Sequence, residues 1–258
     1  MNNPFEPTDY SLFHYTNLNA LISILRSECI VLWATNAAYL NDPTELKQGI
    51  SIVNELENTN FKFDDFKNIY ITSFSQNPDS LVMWSQYGAH GKGCSIGISS
   101  KFIGKSFGTY CKCYYGREDT EQHLKNTLNL IDNGVLTAMG MPQPSEESIR
   151  KQRELSRQMF LQTTCVMSKD TAYEYEKETR AFVEVPSIHY KNVQFRLVDN
   201  RIVPYIPIQL DKEALTQIII GPTLNAEITQ RSIKQMLEIK GYDLSKINIE
   251  FSNVPFRG

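Results

Sequence analysis

Between Ser11 and Ser252 the apolar residues of this chain gather in short runs of two kinds, and their order constrains the fold more than any other feature. One kind is compact and rich in β-branched or aromatic side chains. It covers residues 11–16, 29–34, 69–75, 94–98, 109–115, 180–185, 202–208, 217–220 and 247–252, and reads as strands. The other kind repeats at helical spacing. Leu18, Leu21, Ile22 and Leu25 follow Asn17, a residue suited to cap a helix. Pro43 can open a helix running to about Leu56, residues 81–87 form a third closed by Gly88, and residues 226–240 an amphipathic fourth. The stretch from about 118 to 160 is polar, charge-rich and helical in spacing, interrupted at residues 139–145. The layout predicts a single α+β domain over residues 1–258, with mixed or antiparallel sheets, flanking helices and an inserted helical pair.

Composition narrows the function classes. With 41% hydrophobic and 21% charged residues among 258, the chain is neither disordered nor collagen-like. Lys and Arg total 26 against 29 Asp and Glu, a formal charge of −3, which argues against a broad basic face for nucleic acid. No apolar run approaches the roughly 20 residues of a membrane-spanning helix. The opening MNNPFEPTDY has neither the basic start nor the apolar middle of a secretory leader, so a cytoplasmic protein with no membrane partner is expected. The cysteines at 29, 94, 111, 113 and 165 show no CxxC spacing. Cys111-Lys-Cys113 lacks a second Cys/His pair, so reduced thiols and no metal site are expected. A GxGxxG fingerprint and a Walker A motif are both absent from the sequence.

Four groups can carry chemistry. His14-Tyr15-Thr16 ends the first strand, and Leu40-Asn-Asp-Pro-Thr-Glu45 supplies acidic groups or simply an Asx-turn. Ser73 and Ser75 precede Ser80, Trp84 and Tyr87. Trp84 and Tyr87 share a helix face, which serves core packing or offers a planar ligand a stacking surface beside hydroxyls. In Tyr173-Glu-Tyr-Glu-Lys-Glu-Thr-Arg180, an extended backbone would put Glu174, Glu176 and Glu178 on one side, with Arg180 as their candidate partner. A solvated edge is the alternative there.

Several of these pieces resemble the bacterial DUF2971 family: the FHYT start, Leu40-Asn-Asp-Pro-Thr-Glu45, Ser73-Phe-Ser75 with Asp79-Ser80, and Met83-Trp84-Ser-Gln-Tyr87-Gly. The Tyr-Glu-Lys-Glu-Thr-Arg core, Ile220-Gly-Pro222 and Ser252-Asn-Val-Pro-Phe-Arg257 complete the set, while Tyr173 stands where that family often has tryptophan. The order of features is also similar to the ADP-ribosyltransferase superfamily. There an early strand carries His or Arg, a middle strand leads into a helix bearing Ser and an aromatic, and a later strand opens on Glu-x-Glu. This resemblance implies an ADP-ribosyltransferase-like fold with NAD as substrate and no metal. It makes Glu178 the catalytic residue and Glu176 the group orienting the acceptor. It gives His14, Tyr15, Thr16, Ser73, Ser75, Ser80, Trp84, Tyr87 and Arg180 to NAD binding.

The expected activity is therefore NAD-dependent ADP-ribosyl transfer or NAD glycohydrolysis, with a protein or nucleic acid as unknown acceptor, in a toxin or phage-defence effector. Two alternatives use the same residues: a non-enzymatic module binding a nucleotide or partner, and a metal-dependent nuclease-type enzyme built on Asp42, Glu45 and the glutamates.

Overall fold

A computed structural model describes residues 9–40, 43–132, 145–185, 191–222 and 225–255. The chain is α+β, and its residues fall into two compact units.

The first unit comprises Met1–Asn36, Ile69–Lys112 and Tyr175–Gly258, and holds a large mixed sheet. One arm begins with β1 (Ser11–Asn17), antiparallel to the whole of β4 (Gly93–Ser99). On β4's far side lies β11 (Leu215–Ile220), antiparallel, and then β12 (Asn248–Phe251), parallel to β11. The other arm is β2 (Ile30–Asn36), β10 (Arg201–Leu210) and β9 (Gln194–Val198), all antiparallel. The arms meet on β3 (Ile69–Ser75). One edge of β3 pairs fully with β8 (Glu178–Glu184), which also carries β5 (Thr109–Lys112). The opposite edge is shared: β2 reaches Tyr70 and Ile71, while β1 touches only Ser75 through Phe13. The sheet forks between those contacts.

Strand alternation separates the two faces. Leu12, Leu32, Ala34, Phe74, Ile96 and Ala181 point into the main core, covered by α1 (Leu18–Ile24), α4 (Ser100–Phe107) and α7 (Ala226–Ile239). Phe13, Tyr15 and Ile219 point the other way and pack on Met83 and Trp84 of α3 (Leu81–Gln86). Asn17 caps α1 as the sequence implies, its side chain accepting from the Ala20 amide at 2.8 Å.

The second unit comprises Ala37–Asn68 and Cys113–Glu174. It holds α2 (Pro43–Glu57), α5 (Gly116–Asp132), α6 (Glu146–Met167), and the short parallel pair β6 (Tyr114–Tyr115) and β7 (Ser168–Lys169). Helices α2 and α6 approach so closely that a Cβ on Gly49 would stand 1.9 Å from the Cys165 carbonyl oxygen. The expected helical pair is thus α5 and α6, reaching beyond residue 160 and joined in one unit by α2. The interruption at 139–144 lies outside the described residues, and so do Asn41 and Asp42.

Candidate active site around Glu176 and Glu178

The run before β8 is not the extended segment that its alternating glutamates imply. Thr171–Glu176 forms a 3-10 turn, and β8 starts only at Glu178. Lys177 between them has φ +45°, a left-handed conformation rare outside glycine, and its carbonyl accepts from the Gln76 amide at 3.0 Å. That reversal changes where the carboxylates go. Glu174 and Lys177 are exposed, whereas Glu176 (3% exposed) and Glu178 (5%) are both buried. Three carboxylates on one side becomes two inward and one outward.

Each buried carboxylate has a donor. The Tyr87 hydroxyl donates to Glu176 Oε1 at 2.8 Å. Arg180 donates to Glu178 through Nε to Oε1 at 2.9 Å and Nη2 to Oε2 at 3.1 Å, a bidentate pair that fixes the orientation of the carboxylate. Ser75 links the turn to β3: its hydroxyl donates to the Glu176 carbonyl at 2.7 Å and accepts from the Asn77 amide at 3.0 Å.

A second network adjoins this one on the same face. Tyr15 donates from its hydroxyl to the Asn77 carbonyl at 2.9 Å and accepts from the Ser80 amide at 3.0 Å, while its ring meets Trp84 edge-on at 4.9 Å. Burial pushes the Tyr15 hydroxyl well above the usual phenol range, so it stays protonated. Trp84 Nε1 donates to Asp79 Oδ1 at 2.6 Å. The same carboxylate accepts from the Ser252 hydroxyl at 2.6 Å and the Asn253 amide at 2.8 Å. Asp79 thereby ties α3 to the segment after β12. The close fit extends to Gly88, where a Cβ would stand 2.4 Å from the Trp84 ring.

Of the residues singled out from sequence, Tyr15, Ser75, Ser80, Trp84, Tyr87, Glu176, Glu178 and Arg180 come together here. Trp84, however, is sealed in the packing cluster and offers no open ring face for stacking. The half-buried aromatic at the carboxylates is Tyr87. Ser73 is exposed, opposite Arg180 on the neighbouring strand. His14 and Thr16 do not join the cluster. Both share strand parity with Leu12, so they lie on the core side of β1, whereas Glu178 shares its side with Ser75 and Phe13.

His14 occupies the fork instead. Its ring meets Phe74 edge-on at 6.0 Å, and Nδ1 lies 3.0 Å from the Ser73 carbonyl oxygen. A carbonyl only accepts, so Nδ1 carries the proton and Nε2 is the acceptor of the neutral ring. The ring is surrounded by protein yet keeps some contact with solvent. Desolvation holds it below the ordinary imidazole value, and the charge of Arg196 pushes the same way against the Ser73 bond.

That charge marks a group that sequence reasoning missed. Arg196 on β9 lies with its guanidinium carbon 5.2 Å from the Trp33 ring centre and 5.8 Å from that of Tyr205. The signal was present: Gln194–Val198 alternates and is followed by Asp199-Asn200, both left-handed in the structure, the signature of a tight hairpin into β10. Among the described residues no three His, Cys, Asp or Glu side chains gather as a metal site, and no helix is long and apolar enough to cross a membrane.

Residues 83–181 match the family model described as "Protein of unknown function (DUF2971)", a stretch that contains Trp84, Tyr87, Glu176, Glu178 and Arg180. No curated protein and no solved structure matches the chain.

Proposed function

We propose that this member of the DUF2971 family cleaves the nicotinamide–ribose bond of NAD, passing ADP-ribose to a protein or nucleic-acid acceptor or to water. The observation that carries the reading is the pair of buried carboxylates turned inward on either side of the left-handed Lys177, with Tyr87 on Glu176 and Arg180 on Glu178. When the C–N bond breaks, nicotinamide leaves with the bonding electron pair and positive charge develops on the ribose. A carboxylate whose orientation is already fixed stabilises that charge without having to reorganise, which is the role of Glu178. An acceptor oxygen then bonds to the ribose carbon and passes its proton to Glu176, with Tyr87 steadying the carboxylate. A cytoplasmic toxin or antiviral effector of a bacterium is the setting that such chemistry implies.

The test is nicotinamide release from NAD, followed chromatographically. Wild type should turn over, and Glu178→Gln should fall by at least about 10²-fold, the usual scale for removing one electrostatic or acid–base group. No release from wild type, or equal release from both proteins, overturns the assignment. The satisfied Glu178–Arg180 pair favours one second reading, a nucleotide-binding module in which the pair is structural. NAD would then raise the melting temperature with no nicotinamide formed.

A further inference from the structure

On the open arm of the fork, β2, β10 and β9 present Trp33, Thr35, Tyr205 and Arg196 on one face of the sheet, since Thr35 is opposite Tyr205 and Arg196 is opposite Val203. The Trp33 and Tyr205 rings lie 4.5 Å apart, tilted by 35°, and the guanidinium packs against both. Arg196 donates from Nη2 to the Thr35 hydroxyl at 2.8 Å. Among the described residues that is its one hydrogen bond: Nε is buried without a partner, and no carboxylate stands within ion-pair distance.

This is an unusual state for an arginine. Burial lowers its pKa, so the environment costs the cation something that no counter-ion among the described residues offsets. Elsewhere in the chain Arg117, Arg157 and Arg180 all meet carboxylates. Trp33 meanwhile keeps 38% of its surface exposed although two groups pack against it, and Ser73, on the strand beside it, is exposed as well. A guanidinium with unfilled N–H groups is matched to phosphate oxygens, and an open indole is matched to a planar base.

We propose that Arg196 and Trp33 form a binding site for a nucleoside phosphate, the phosphate on the guanidinium and the base against the indole. The site stands on its own geometry. Only the choice of adenine nucleotide, the ADP portion of NAD, rests on the activity proposed above.

Titration calorimetry on the full chain tests this with ADP, adenosine and inorganic phosphate as separate ligands. ADP should bind. Arg196→Gln should weaken ADP at least about tenfold while leaving adenosine unchanged, whereas Trp33→Leu should weaken ADP and adenosine alike. Should Arg196→Gln fail to fold, as judged by circular dichroism, Arg196→Lys replaces it. Lysine keeps the charge but loses the planar fork, so ADP should bind several-fold more weakly. Absence of ADP binding by wild type at millimolar concentration, or ADP affinity indifferent to both Arg196 variants, overturns the proposal. The two readings fail separately. Arg196-dependent ADP binding without nicotinamide release sinks the chemistry and leaves this site. NAD cleavage with ADP binding blind to Arg196 does the reverse.

Discussion

Replacing Arg180 by methionine tests whether the Glu178 carboxylate depends on its partner. Both side chains are almost wholly buried, at 5% and 3% exposure, and two N–H···O contacts of 2.9 and 3.1 Å join them. A surface ion pair of that geometry would contribute about 0–1 kcal/mol. Inside the protein the balance differs, because breaking a buried pair by removing one member costs about 3–5 kcal/mol. For a chain of this size about 2–4 °C accompanies each kcal/mol, so Arg180→Met should melt roughly 6–20 °C below wild type. Glu178→Gln, which breaks the same bidentate contact from the other side, should also be destabilised. The double variant removes both charges together and should be more stable than either single one, the reverse of additivity. Urea unfolding monitored by circular dichroism gives all three differences. A loss of under about 1 kcal/mol for Arg180→Met, or single losses that simply add in the double variant, would refute the claim that the pair is a buried, mutually dependent unit.

Two further outcomes follow from neighbouring contacts. Asp79→Ala strands the buried Trp84 indole N–H and releases the Ser252 hydroxyl and the Asn253 amide, so a loss of about 3–5 kcal/mol is expected together with faster proteolysis after residue 251. Asp79→Asn keeps an acceptor and should lose less, and equal losses would show that the hydrogen bonds are not what holds the segment. His14 should make the first unit acid-sensitive. Its folded pKa lies below the ordinary 6.5, so the unfolded chain binds the proton first, and stability present above that pH falls by up to about 1.4 kcal/mol per unit as pH drops below it. His123, also held low by burial, acts in the same sense in the second unit. His14→Gln should flatten the acid limb of melting temperature against pH, and an unchanged limb would remove His14 from the account.

What the sequence revealed, and what it hid, divides by the range of the cause. Local signals were readable: the Asn17 cap, the helix opening at Pro43, the alternation of residues 69–75, and the short helix ending at Gly88 all appear where propensity and periodicity put them. Helix α4 was missed because Gly104 and two serines dilute a pattern that rests chiefly on Ile103 and Phe107. The turn before β8 was misread for a different reason. A single left-handed residue decides which glutamates face inward, and nothing about a lysine announces a positive φ. The fork on β3 is set by pairings between strands tens of residues apart, and such pairings leave no trace in a window of sequence. For the same reason the grouping of Tyr87 with Glu176 could be guessed only from motif order, whereas Arg196 and Trp33 escaped notice.

The two ends of the forked face offer different groups, and on the proposed chemistry that difference orients the ligand. At β8, Arg180 is bidentate on Glu178 and the Glu176 carboxylate accepts from Tyr87, so two buried carboxylates stand at that end. At β9 the Arg196 cation meets, among the described residues, aromatic rings and a hydroxyl. Strands β3 and β2 step from one end toward the other, and Thr35, where β2 still pairs with β3, lies about two strand spacings, roughly 10 Å, from β8. On the proposed chemistry NAD has matching ends, a cationic nicotinamide ring and an anionic diphosphate with a ribose between them. Laid with the diphosphate toward Arg196, the molecule brings its cationic ring to the carboxylates that the reaction requires.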